Sequence, residues 1–177
     1  WNTWIGASTP VPTQSSQNGV PGLYLGAKYC QTGLYRPTVN SKMRTLERPF
    51  EQINIEQFIR SFYNRVSPIE EVLPITTTIS VPDGQPITFS VTLQLPATHA
   101  LDVSWIVDGI ASGTASNFVF DSTGKVGAHT ITVVASDATA AVRNDPNSVL
   151  RDQRSWAITV QPAESPRFLI PDGGGAQ

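Results

Sequence analysis

The clearest periodic signal in the chain is an apolar stripe. Ile55, Phe58, Ile59, Phe62, Tyr63 and Val66 recur at i, i+3, i+4, i+7, i+8 and i+11. That is one face of a 3.6-residue period, so the spacing predicts a helix over 54–66. Asn54 reads as its cap, and Gln57, three residues on, can reach back in a variant of the capping box. Glu56 in the first turn and Arg65 in the last suit the helix dipole, and Pro68 stops the helix. A helix of about 13 residues is marginal alone. Its stripe needs a surface to bury against, and residues 1–53 offer little regular structure to receive it.

From about residue 72 the apolar period shortens to two. Residues 74–81, 86–95, 102–109, 116–122, 128–137 and 154–162 read as short strands, with Val103, Trp105 and Val107 alternating onto one face. Pro82-Asp83-Gly84 and Asp108-Gly109 mark turns. Such a series predicts an immunoglobulin-like β-sandwich. Residues 138–153 form a long loop before the last strand, and the tail from 166 is expected to be flexible. Residues 1–32 lack periodicity and read as irregular loop. Trp1, Trp4, Ile5, Leu23, Tyr24 and Leu25 are too apolar for a solvated linker, so this segment is expected to pack across something. The fold class is mainly β, with an irregular segment (1–70, containing the helix), a sandwich (72–165) and a tail (166–177).

Composition agrees and excludes some partners. The chain has 177 residues, 13 Gly, 14 Pro and a formal net charge of −2. That gives no electrostatic case for nucleic acid or an anionic membrane. No apolar run approaches the roughly 20 residues that span a bilayer. The sequence starts at Trp1 without a basic-then-apolar leader, so it is expected to be a processed product, a fragment or a trimmed form. Cys30 stands alone, which rules out an internal disulfide, and it reads as a partly buried free thiol.

Candidate chemistry is sparse. His99 reads as a solvent-exposed loop residue and His129 as a buried, hydrogen-bonded residue of the sandwich. Asp83, Asp102, Asp108, Asp121 and Asp137 sit at strand ends, as turn caps do; calcium at the sandwich rim is the alternative. The only methionine, Met43, lies in a polar segment beside Arg36, Pro37, Asn40, Ser41 and Arg44. Packing as a gap-filler beside the helix is its plain explanation.

Two resemblances bear on these residues. Trp105, the Asp108-Gly109 turn and the run from Gly127 through His129 to Asp137 are similar to PKD and Ig-like modules of secreted bacterial hydrolases. Residues 22–69, GLYLGAKYCQTGLYRPTVNSKMRTLERPFEQINIEQFIRSFYNRVSPI, resemble the end of the catalytic domain in the IgA-peptidase-like family of zinc metallopeptidases. Tyr29, Tyr35-Arg36-Pro37, Asn40-Ser41-Lys42-Met43, the closing helix and the sandwich after it carry the likeness. With WNTWIG upstream it covers residues 1–70.

The resemblance implies a Met-turn of the metzincin type. Met43 would lie beneath zinc-ligating histidines, where a soft thioether supports imidazoles without competing as a hard ligand. Pro37 would stiffen the turn, and Asn40 and Ser41 would satisfy its backbone. Arg36 would pair a carboxylate or line the substrate cleft, and Tyr35 would donate towards a substrate carbonyl. Tyr35, Arg36, Asn40, Ser41 and Met43 thus form the expected active-site floor. A Met43 side chain in bulk solvent, or sealed inside the sandwich, speaks against this reading.

The family's His-Glu-x-x-His helix is missing from the sequence. Its two histidines, His99 and His129, are thirty positions apart and cannot supply a three-ligand zinc site. The chain is therefore expected to be the C-terminal portion of a bacterial zinc metalloendopeptidase, secreted or at the cell surface, and inactive alone. The zinc ligands would come from an N-terminal catalytic half or a separate chain. The alternative is a non-catalytic Ig-like module for binding, adhesion or filament assembly, with copies exchanging strands.

Overall fold

The computed structural model describes residues 1–163; the tail expected at 166–177 lies outside them. The chain divides into two compact units. One holds residues 1–70, 93–102 and 135–152, and the other 71–92, 103–134 and, of the described residues, 153–163. The loops 93–102 and 135–152, read from sequence as part of the sandwich, thus group with the first unit.

The fold is mainly β, an Ig-like β-sandwich with one α-helix. Strands β1 (Tyr24–Ala27) and β2 (Cys30–Arg36) form an antiparallel hairpin. Helix α1 spans Gln52–Tyr63. The remaining strands are β3 (Ile69–Leu73), β4 (Thr78–Pro82), β5 (Ile87–Leu93), β6 (Asp102–Val107), β7 (Ile110–Gly113), β8 (Asn117–Phe120), β9 (Gly127–Ser136) and β10 (Arg151–Gln161). They make a five-stranded sheet, β4-β10-β9-β6-β7, and a three-stranded sheet, β3-β5-β8. β10 pairs parallel with β4.

The second unit's core is aromatic. Phe89 lies edge-on to Trp156 at 4.9 Å, and Trp105 stacks on Phe118 at 5.3 Å and on Trp156 at 5.9 Å. Trp105, Phe89 and Trp156 are fully buried, and a buried indole N–H needs an acceptor. Trp105 donates to the Ala115 carbonyl and Trp156 to the Pro74 carbonyl, both at 2.8 Å. The β6–β7 turn is Asp108-Gly109, both left-handed (φ 50° and 84°), which fits the expected Asp-Gly hairpin signal.

Helix α1 departs from its sequence reading at both ends. It starts at Gln52 after Glu51, whose side chain makes no cap bond, and Asn54 lies inside the helix. Arg65 falls beyond the end, and Arg60 is the cation of the last turn. Glu56 sits in the second turn and is the helix's one buried residue. The apolar stripe stays open: Ile55 and Phe58 are about two-fifths exposed, Val66 is 44 % exposed and Phe62 68 %. No surface in the first unit fully covers it. Among the described residues no helix is long and apolar enough to cross a membrane.

Residues 1–32 pack, although their backbone is mostly irregular. Tyr24 is buried, with its hydroxyl 2.6 Å from the Gln17 carbonyl oxygen and 2.8 Å from that of Val20. The Thr13 hydroxyl donates to the Pro10 carbonyl and accepts the Leu23 N–H, both at 2.8 Å. The β1–β2 hairpin was not expected from sequence. Its turn is Lys28-Tyr29, with both residues left-handed at φ 51° and 67°. This is the geometry of a two-residue hairpin loop without the Asn-Gly or Asp-Gly that usually announces one.

Candidate functional site

The first unit holds an open cavity of about 810 Å³. Three pieces of chain build it. The β1–β2 hairpin gives one wall, the segment Pro37–Arg44 another, and Asn54 of α1 also borders it.

Arg36 fixes the hairpin wall. Gly26 sits at a register shift in β1 with φ 90°, a bulge that glycine adopts without steric cost. A side chain there would meet the Arg36 Nη1 at 3.4 Å. The guanidinium lies against this backbone, its Nη1 donating to the Leu25 carbonyl and, at 2.6 Å, to that of Gly26. Its Nε donates to the Val39 carbonyl at 3.0 Å. Arg44 Nη1 donates to the same Val39 oxygen, also at 3.0 Å. Burial, and then the Arg44 charge, pull the Arg36 guanidinium below its ordinary range.

The Met43 turn is closed by main-chain bonds. The Ser41 carbonyl accepts the N–H groups of Arg44 (2.9 Å) and Thr45 (3.0 Å), and Lys42 N–H reaches the Pro49 carbonyl at 3.0 Å. Phe50 then packs edge-on against Phe58 of α1 at 4.8 Å, tying the turn to the helix. Ser41 is buried, and the Asn40 Oδ1 is buried without a partner among the described residues. The Asn40 oxygen therefore does not satisfy the turn, as the sequence reading had it; the Ser41 carbonyl does.

Four of the five expected floor residues, Arg36, Asn40, Ser41 and Met43, line this one cleft. Tyr35 does not. Its cross-strand partner Leu25 does, so the alternation of side chains along the strand does not explain the difference. Met43 is 70 % exposed. It is neither a packed gap-filler beside the helix nor inside the sandwich, and a thioether left this open by the described residues speaks against the expected Met-turn. Lys28, Tyr29, Arg44 and Asn54 also line the cleft; none of them was among the expected floor residues, although Tyr29 carried part of the likeness and Asn54 was read as the helix cap. Tyr29, at the hairpin tip, is fully exposed. Cys30 is exposed as well, not partly buried as expected.

The residues present do not fit a zinc site. Among the described residues no three His, Cys, Asp or Glu side chains gather closely enough to hold a metal ion. His99 is exposed, and its Nε2 lies 2.7 Å from Asp137 Oδ1. Asp137 is buried and also accepts the Tyr63 hydroxyl (2.8 Å) and the Thr139 N–H (2.9 Å), so its oxygens are filled. In the second unit, half-buried His129 lies between Asp108 Oδ2 at 2.7 Å and the Lys125 carbonyl at 2.8 Å. Asp83 and Asp121 each accept a turn N–H, from Gly124 and Thr123, and Asp108 accepts the N–H of Thr130 in β9.

No family model and no curated protein matches the sequence. Solved structures do match part of it. Fibronectin(III)-like modules of Clostridium thermocellum CbhA align at 16 % identity and a TM-score of 0.36, over 52 % of this chain and 96 % of the module. A quinonprotein alcohol dehydrogenase-like protein of Bacteroides thetaiotaomicron aligns at 13 % identity and a TM-score of 0.39, over 54 % of this chain and 20 % of that one. SGBP-B of a Bacteroides ovatus mixed-linkage glucan utilization locus, solved in complex with a mixed-linkage heptasaccharide, aligns at 16 % identity and a TM-score of 0.36, over 53 % of this chain and 24 % of that one. Likeness at this level carries no argument about function.

Proposed function

We propose that the chain is the C-terminal portion of a secreted or cell-surface bacterial zinc metallopeptidase. Residues 1–70 supply a wall and the floor of its peptide cleft. Zinc, its ligands and the general base belong to residues outside this sequence. One observation carries the reading: Arg36, Asn40, Ser41 and Met43, which the family likeness groups as a floor, line a single open cleft.

The chain's own residues hold and position. Arg36 is immobilised by three main-chain carbonyls, so it meets a ligand without reordering. Tyr29 offers a free aromatic face at the cleft mouth. The open stripe of Ile55, Phe58 and Phe62 is an apolar surface of the kind that a partner covers; the exposed Met43 thioether counts against the reading unless that partner covers it too. That partner is the part of the enzyme bearing the His-Glu-x-x-His helix.

The second reading, a non-catalytic module that binds or self-assembles, draws on the sheet edge. β7 ends the five-stranded sheet, and its Ile110 is 72 % exposed, which suits edge pairing between copies. The N-terminal aromatic segment is not free to exchange, however. Trp4 donates its indole N–H to Glu56, and the Arg143 guanidinium lies 4.4 Å above its ring. Light scattering of the chain alone, and mixed with the polypeptide encoded upstream, separates the readings. A stable pair with a chain carrying His-Glu-x-x-His supports the peptidase, and a polymer of this chain alone supports the module.

A further inference from the structure

We infer that the hairpin cleft is an anion site that takes a carboxylate of a peptide ligand, held between Arg36 and Arg44. That the ligand is a peptide rests on the peptidase reading; the anion preference rests on the cleft itself.

Three cations line the cleft, Lys28, Arg36 and Arg44, and no Asp or Glu does. Among the described residues neither arginine is paired with a carboxylate. Arg36 spends Nε and Nη1 on main-chain carbonyls, which leaves Nη2 without a protein acceptor among the described residues. Arg44 spends only Nη1, which leaves Nε and Nη2. Two like charges converge on the one Val39 oxygen with no counter-charge in the cleft. Their repulsion disfavours the charged pair, and a bound anion would relieve it.

Guanidinium forks match the planar geometry of a carboxylate. Met43 and Leu25 of the same cleft give apolar surface. Donors and apolar surface together suit an acidic peptide better than a bare inorganic anion.

The test is direct binding to the 177-residue chain. Three probes are compared: acetyl-Ala-Glu-Ala-amide, with a side-chain carboxylate; acetyl-Ala-Gln-Ala with a free C-terminus, with a terminal carboxylate; and acetyl-Ala-Gln-Ala-amide, with neither. At least one carboxylate probe is expected to bind about tenfold or more tighter than the neutral one, and the stronger of the two names the source. Arg36 holds the hairpin, so the variant of choice is exposed Arg44→Gln, which should remove most of that preference. Equal binding of all three probes, a preference untouched by Arg44→Gln, or inorganic phosphate competing as well as the acidic peptide would overturn the inference. Hydrolysis by the complete encoded protein is read separately. Carboxylate preference without hydrolysis removes the peptidase and keeps the anion site, and hydrolysis without the preference does the reverse.

Discussion

The Glu56 carboxylate takes the Trp4 indole N–H on one oxygen and the backbone N–H groups of Arg143 (3.2 Å) and Asn144 (2.9 Å) on the other. A carboxylate on a helix is normally solvated; this one is 6 % exposed. It holds three donors from two distant stretches of chain within the first unit. Glu56→Ala would leave those donors unpaired, at about 1–3 kcal/mol for each that stays buried. The expected result is a fall of several degrees or more in melting temperature and a more solvent-like Trp4 fluorescence. An unchanged melting temperature would show that water replaces the carboxylate without cost.

The open stripe of α1 separates folding from association. Phe62 is 68 % exposed, so Phe62→Ser should change the chain's stability by no more than about 0.5 kcal/mol, as surface substitutions usually do. Under the peptidase reading the same change weakens pairing with the catalytic portion. Limited proteolysis gives a second readout, because residues 1–70 should be cut faster without that partner than with it. Equal cleavage in both states would contradict a covered stripe.

Gly26 is expected to tolerate no side chain. Its φ is 90°, and a Cβ would lie 3.3 Å from the Gln31 carbonyl oxygen and 3.4 Å from Arg36 Nη1. Gly26→Ala should cost about 1–3 kcal/mol through backbone strain and displace the Arg36 guanidinium. Chemical denaturation measures the first effect, and weaker binding of the acidic probe the second.

The His129–Asp108 pair sets a pH window in the second unit. The bond to Asp108, and then that to the Lys125 carbonyl, raises the His129 imidazole; both ring nitrogens face acceptors, so the protonated ring satisfies both. The His129 bond, and then the Thr130 N–H, lowers the Asp108 carboxyl. A raised histidine stabilises fully below its unfolded value and loses that as pH rises through the folded one. A lowered aspartate stabilises above its unfolded value and loses that as pH falls. Their overlap lies between about pH 4 and pH 6.5. The NMR midpoint of His129 should sit above about 6.5, and Asp108→Asn should bring it down. A midpoint unmoved by that substitution would contradict the pairing.

The sandwich was legible because its signals are local. Alternation of Val103, Trp105 and Val107 placed a strand, and Asp108-Gly109 placed the turn after it. The stripe from Ile55 to Val66 placed α1 but shifted its bounds, because Asn54 carries a capping side chain that the helix does not use. The β1–β2 hairpin was hidden, since Lys28-Tyr29 is not a recognisable turn pair and its left-handed backbone is set by the strands around it. Without that hairpin, Tyr35 and Arg36 looked like one functional pair, although only Arg36 lines the cleft. The burial of Glu56 was illegible for another reason: its donors arrive from Trp4 and from residues 143 and 144, which no local pattern connects.

The decisive measurement is peptide hydrolysis by the complete protein that this chain is encoded in, with and without a zinc chelator, for the unaltered enzyme and for the exposed cleft variant Arg44→Gln. Chelator-sensitive cleavage that falls about tenfold or more in the variant is expected, the usual scale for losing a substrate-positioning group. Absence of cleavage by the complete protein, or cleavage indifferent to the chelator or to Arg44→Gln, would contradict the account.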